Sequence, residues 1–235
     1  MKNYIIHVST DFEREKHITK EIAKTAFDFT FINDGDKKDL TKDLVSQHFI
    51  KKTVTAATSC AYKHILAYKD MINHQSNYAI ILEDDIFLYE NFEETITNIL
   101  IEIEKRNLSN FLISLEESNL EYVKGSEREK GKLLYKKNTG RFAGAYLIDI
   151  ECAKTMIHEI ETHKCEEAID YQHTIFARKG LINVYWLHPP IAIQGSLNGK
   201  IPSILDLRYK RGKNLFRRIS FAVTKYYKKM LYRLR

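Results

Sequence analysis

The 235-residue chain is 44% apolar and 11% aromatic, with nine Gly and three Pro, which excludes disordered, collagen-like and low-complexity classes and supplies enough apolar side chain for a substantial core. No uncharged apolar run approaches the roughly 18 residues of a membrane-spanning helix, and Met1-Lys2-Asn3-Tyr4-Ile5-Ile6-His7 lacks the features of a secretion signal, so a cytoplasmic protein is expected. The net charge of +6 is unevenly divided: eleven Lys or Arg and no acid fall in 208–235, leaving 26 basic against 31 acidic residues in 1–207.

Tyr4 to Val8 reads as a strand and is followed by an amphipathic helix through Ile18, Ile22 and Ala26. A second strand spans Phe27 to Ile32 and runs into the turn Asn33-Asp34-Gly35-Asp36. A helix through Ala61, His64, Ile65, Tyr68 and Ile72 leads to Tyr78-Ala79-Ile80-Ile81-Leu82, a continuous apolar run suited to a central parallel strand covered on both faces. Phe92, Ile96, Ile99, Leu100 and Ile103 mark the next helix, and Phe111 to Leu115 the next strand. Glu116 to Lys137 reads as a polar, flexible loop that orders over a bound ligand. Then come a strand at Ala143 to Ile150, a helix from Cys152 to Glu161, and a strand at Leu181 to Leu187 closed by His188-Pro189-Pro190. The expectation is one α/β domain over 1–207 with a tail over 208–235. Cys60, Cys152 and Cys165 are too far apart for a zinc motif and read as reduced thiols.

In open α/β sheets ligands bind beyond the carboxyl ends of the strands, where Glu83-Asp84-Asp85 falls. Consecutive carboxylates repel one another unless a cation or basic side chains compensate, and hard oxygen ligands suit Mg²⁺ or Mn²⁺. The competing reading is that one acid caps the next helix and the others are solvated. His64, on the apolar side of its helix, reads as a satisfied core histidine rather than a ligand.

Ser59-Cys60-Ala61-Tyr62-Lys63-His64 followed by Tyr78 to Asp85 resembles the family 25 glycosyltransferases of bacterial lipopolysaccharide and lipooligosaccharide biosynthesis. Other fragments follow in the family's order: Tyr4 to Val8 with Glu13-Arg14, Phe31 to Asp36, Gly144 to Ile148 with Ala153-Lys154, Ile169-Asp170, and Val184-Tyr185 to Pro189-Pro190 with Gln194. The resemblance covers almost everything before the basic tail. It implies a GT-A type, Rossmann-like nucleotide-sugar-binding fold, a UDP-sugar donor and a divalent cation, Mn²⁺ ahead of Mg²⁺, held through Asp85 and Asp84. His188 stands where a late metal ligand would fall. Glu83, Asp84, Ser9, Arg14, Gln194 and Ser196 are the expected donor contacts. The resemblance also implies inversion of the anomeric centre, which assigns Asp170 as base, with Glu166 and Glu167 as neighbouring alternatives and a helix cap as the structural reading of Asp170.

These readings combine into a hexosyltransferase, with galactose favoured, acting on a lipid-linked oligosaccharide. The alternatives are a non-catalytic UDP-sugar-binding protein and a polyanion-binding protein working through its tail; the acidic body argues against nucleic acid as a partner. In the tail, Leu215, Phe216, Ile219, Val223, Tyr226, Tyr227, Met230, Leu231 and Leu234 recur every three to four residues beside Arg and Lys. That pattern predicts a basic amphipathic helix holding the protein at an anionic surface, the cytoplasmic face of the inner membrane.

Overall fold

The computed structural model describes residues 1–166, 168–201 and 214–235. Strand β1 (Asn3–Ile6) lies between two parallel neighbours, β2 (Phe29–Ile32) and β3 (Tyr78–Glu83), with Ile6 opposite Glu83. Helix α1 (Phe12–Ile22) joins β1 to β2, and Asp11 starts it by accepting a hydrogen bond from the Arg14 amide. Before β3 come α2 (Lys42–His48) and α3 (Ala56–Asn73), the latter opened by a reciprocal Thr55–Thr58 capping box. Strand β4 (Ile86–Leu88) and α4 (Phe92–Arg106) follow, then β5 (Phe111–Ser114), a 3₁₀ turn at Gly125–Glu127, β6 (Leu134–Lys137) and β7 (Ala145–Asp149). The chain continues through α5 (Ile150–His163), α6 (Ile169–Arg178), β8 (Asn183–Leu187), β9 (Ala192–Gln194), α7 (Gly195–Asn198) and α8 (Asn214–Leu234).

Seven strands form one sheet in the order β2-β1-β3-β7-β5-β8-β6, and β4 pairs with β9 in a separate two-stranded ribbon. The apolar run of β3 is explained by its position, since alternate side chains enter different cores. Ala79 and Ile81 pack with Tyr68, Met71 and Met156 on one face, while Ile80 and Leu82 pack with Ile18, Ile96 and Ile99 on the other.

The structure corrects several expectations. Strand β3 is parallel to β1 but antiparallel to β7, so the sheet is mixed at its centre. Helix α1 ends at Ile22 and β2 starts at Phe29, both short of the patterns read for them. Segment 116–137 is not a solvated excursion: Glu116, Glu117, Leu120, Tyr122 and Val123 are buried, and its end supplies edge strand β6, which pairs antiparallel with β8. Its carboxylates are covered because Gly144, Ala145 and cations of α8 bond to them. The boundary expected between 207 and 208 lies outside the described residues, as does Glu167.

Candidate active site

The carboxyl ends of β1 and β3 open onto a cavity of about 400 Å³, within the range of small-molecule sites. A second depression, about 490 Å³, is lined by Met1, Lys2 and 74–78 at the opposite ends of these strands and gathers no comparable carboxylate cluster.

Glu83, Asp84 and Asp85 all line the main cavity, yet their carboxylates are used differently. Asp84 is engaged on both oxygens. One accepts from Arg14 Nη1 at 2.5 Å, the other from His7 Nδ1 at 2.9 Å and the Val8 amide at 3.4 Å. Burial opposes its ionisation, but His7 and Arg14 outweigh burial and hold the carboxyl below its usual range.

Asp85 is clamped from the β9–α7 corner. Its carbonyl accepts the Gly195 amide at 2.7 Å and its Oδ2 the Ser196 amide at 3.0 Å. Glycine is required at 195, because a Cβ there would stand 3.0 Å from the Asp85 carbonyl oxygen and 2.8 Å from the Phe87 ring. Arg14 Nη2 lies 3.9 Å from Oδ2, whereas Oδ1 is buried and has no hydrogen-bond partner among the described residues. A buried, unpaired carboxylate oxygen at a cavity is a suitable ligand atom for a hard divalent cation.

Glu83 is raised to about 8, first by burial and then by repulsion from Asp85, Asp84 and Asp170. Its Oε2 accepts from Gln194 Nε2 at 2.9 Å, and the missing side chain of Gly144 makes room for Gln194 to cross. Asp170 lines the same cavity from the first turn of α6, where the positive end of the helix favours a carboxylate. Ala168, not Asp170, occupies the N-cap position, so the capping reading of Asp170 does not hold.

Arg14, Gln194 and Ser196 therefore reach the cavity together with the acidic triplet and Asp170. Ser9 turns away to donate to Asp36, which Lys63 also holds at 2.9 Å. His188 is not brought to the cluster. It packs edge-on to Tyr135, and burial, with Arg128, Arg141 and Lys229 nearby, pushes it down to about 4; those cations oppose a metal ion there. Sequence reading passed over His7 and Lys37. His7 was legible as the residue ending a buried strand beside the acids, whereas Lys37 reaches the rim only through the turn after β2.

The family model described as "Glycosyltransferase family 25 (LPS biosynthesis protein)" matches residues 1–172. The chain belongs to glycosyltransferase family 25, and its mixed α/β fold carries a C-terminal helix. It is 31% identical over 105 residues to a Haemophilus influenzae (strain ATCC 51907 / DSM 11121 / KW20 / Rd) protein named "Putative glycosyltransferase"; the match takes in 40% of this chain and 36% of that protein, so it spans little more than a third of that relative's length. Among solved structures, S. aureus TarS 1-349 is similar at a TM-score of 0.48 and 15% identity, over 95% of this chain and 72% of that one. TarS 1-349 in complex with UDP-GlcNAc matches at 0.48 and 13%, over 82% and 57%.

Proposed function

We propose that the chain is a divalent-cation-dependent, inverting hexosyltransferase that moves a hexose, galactose first among those to test, from a UDP-sugar to a lipid-linked lipooligosaccharide or lipopolysaccharide acceptor. The observation that carries this reading is the unpaired, buried Oδ1 of Asp85 in a cavity that also holds Asp170. The donor set there fits a hard cation through Asp85 alone: Asp84 is taken up by Arg14 and His7, and His188 lies elsewhere. When bound, Mn²⁺ or Mg²⁺ supplies Lewis-acid stabilisation of the departing diphosphate.

The chain's own groups do the rest. Arg14, fixed by Asp84, presents positive charge to the donor's phosphates, and exposed Lys37 meets them at the rim. Gln194 and Ser196 bound the sugar side of the cavity, with Glu83 anchoring Gln194. Ser9 steadies the loop wall through Asp36. Asp170 accepts the proton of the attacking acceptor hydroxyl.

The direct test is to incubate the full chain with a panel of UDP-sugars, with and without Mn²⁺, and weigh the products by mass spectrometry. One UDP-sugar should turn over only with the cation. Turnover of every donor without a cation would overturn the reading.

Residues 208–235 act in this reading as a membrane-associating tail on the 1–207 body. Among the described residues no helix is long and apolar enough to cross a membrane. At 100° per residue, Phe221, Lys225, Lys228 and Tyr232 share one side of α8, the side packed on the body, while Ile219, Val223, Tyr226, Tyr227, Met230 and Leu234 lie opposite and exposed. An apolar stripe facing outward on a strongly cationic segment fits an anionic lipid surface, which supports a reading in which the protein works at the cytoplasmic face of the inner membrane. The chain should sediment with anionic vesicles in a salt-sensitive way, and Val223→Asp with Met230→Asp should abolish it. Equal sedimentation with zwitterionic vesicles would count against the lipid reading.

A further inference from the structure

Beside the oxygen donors of Asp85 lies a second cluster of a different chemical kind. Cys60 and His64, one helical turn apart on α3, both face Glu83 at the end of β3. Cys60 Sγ is 3.7 Å from Glu83 Oε1, His64 Nε2 is 3.7 Å from the same oxygen, and the three ligand atoms lie within 4.8 Å of one another. In a tetrahedral zinc site, bonds of about 2.3 Å to sulfur and about 2.0–2.1 Å to nitrogen and oxygen give ligand-to-ligand edges of roughly 3.3–3.6 Å. Contraction of a few tenths of an ångström therefore closes the Cys60–Glu83 and His64–Glu83 edges.

The independent observation is His64 itself. Its side chain is wholly buried, and its Nε2 has no hydrogen-bond partner among the described residues. The other ring nitrogen bonds the Tyr146 hydroxyl at 2.7 Å; that hydroxyl meets Tyr68 at 2.7 Å, and Tyr68 meets His173 at 2.8 Å. This buried chain fixes the ring plane as hydrogen-bonded outer groups fix metal-ligating histidines, and burial, which pushes His64 down to about 3, keeps the ring neutral with a lone pair to donate. An unpaired polar atom in so well-packed a place has a cost that a ligand would remove.

We propose that Cys60, His64 and Glu83 form a site for one thiophilic divalent cation of the zinc class, separate from the oxygen site at Asp85 and open on its fourth side to the cavity. The ion bonds to Sγ, Nε2 and Oε1, the thiol proton and the proton that the Glu83 carboxyl holds at neutral pH both leave to solvent, and no electron is transferred. Thiolate and imidazole select zinc or cobalt over the harder manganese and magnesium, so the two sites differ in preference. Glu83 Oε2 can keep its bond to Gln194 while Oε1 ligates. This site stands or falls independently of the transferase reading.

Cobalt(II) added to the full, reduced chain is the probe. One equivalent should produce a thiolate-to-cobalt charge-transfer band in the near ultraviolet, together with the visible bands of tetrahedral cobalt, and equimolar zinc should bleach both. Cys60→Ser should lose the near-ultraviolet band, whereas Cys152→Ser and Cys165→Ser should keep it. No band, or a band that survives Cys60→Ser, overturns the site, because cobalt held only by Asp85 has no sulfur ligand. Should Cys60→Ser not fold, the wild-type chain decides: one equivalent of zinc should slow alkylation of Cys60, read on its peptide by mass spectrometry, at least tenfold. Unchanged alkylation overturns the proposal.

Discussion

The molecule carries two runs of adjacent acids at the ends of sheet strands, and they are treated in opposite ways. At Glu83-Asp84-Asp85 only the middle carboxylate is paired with basic side chains; among the described residues Asp85 keeps an oxygen without a hydrogen-bond partner, and Glu83, which accepts from Cys60 and Gln194, is pushed upward by burial and its neighbours. At Glu116-Glu117, following β5, Glu117 is saturated. Tyr89 and Lys225 bond one oxygen, the lysine at 2.5 Å, while Tyr122 and Lys229 bond the other, both at 2.9 Å. Burial opposes the Glu117 charge, yet Lys225, Tyr89 and Lys229 overcome it and hold the carboxyl below its usual value. A saturated buried carboxylate locks two elements together, here α8 onto the body. An unsaturated one at a cavity is available for chemistry.

The sharpest way to break this comparison is to remove the unsaturated charge. Asp85→Ala should lower turnover by about 10³-fold and abolish Mn²⁺-dependent UDP binding, measured by calorimetry, while the melting temperature holds or rises, since deleting one of three clustered anions relieves repulsion. A variant that still binds UDP in a Mn²⁺-dependent way would remove Asp85 from the metal role. Next in size, Asp170→Asn should cut kcat by about 10²-fold with donor affinity unchanged, because a base acts in the transition state. A large loss of donor affinity would move Asp170 to the donor site.

The saturated cluster makes the contrasting prediction. Glu117→Ala should leave UDP binding intact but free α8, so that trypsin removes the C-terminal helix about tenfold faster. The lysines are partly exposed, at 25% and 46%, so solvent screens the pairs and the cost to the fold is about 1 kcal/mol, or about 2–4 °C. Gly125→Leu should release the helix by a different route, since a Cβ there would stand 2.2 Å from the Arg233 carbonyl oxygen. Unchanged proteolysis of both variants would show that this contact does not hold the tail.

The same contrast explains what the sequence made legible. The apolar run before Glu83 marks a strand buried on both faces, so the acids at its end were visible as a site in one dimension. The spacing of α8 likewise exposed its stripe, though dense positive charge was read as needing lipid, whereas Glu117 compensates part of it from within the body. Segment 116–137 looked polar because its charges are counted in sequence, whereas Glu117 is neutralised in space by Lys225 and Lys229, more than a hundred residues away. His64 was rightly read as buried; that its second nitrogen lacks a partner follows only from where Glu83 and Tyr146 come together. The short β4–β9 ribbon that clamps Asp85 has three residues per strand, too few for alternation to register.

The smallest expected effect separates the two adjacent acids of the second cluster by the sign of their pH dependence. Glu116 is fully buried and raised from 4.5 to about 8, first by burial, while the Ser118 side chain and the Gly144 and Ala145 amides that bond its Oε1 only partly offset this. Between those values the folded chain holds a proton that the unfolded chain has lost, so Glu116 makes the fold less stable as pH rises from about 4.5 to 8. Glu117, lowered in the fold, acts in reverse: its contribution is present above the unfolded value and is lost as pH falls. Glu116→Gln keeps an oxygen to accept the Gly144 amide but cannot ionise. Between pH 5 and 8 the wild-type melting temperature should therefore fall more steeply than that of Glu116→Gln, and Glu117→Gln should instead flatten the loss on the acid side, below pH 5. Parallel melting curves for wild type and Glu116→Gln across pH 5 to 8 would mean that Glu116 is ionised in the fold, and that its buried oxygen finds compensation the two amides do not provide.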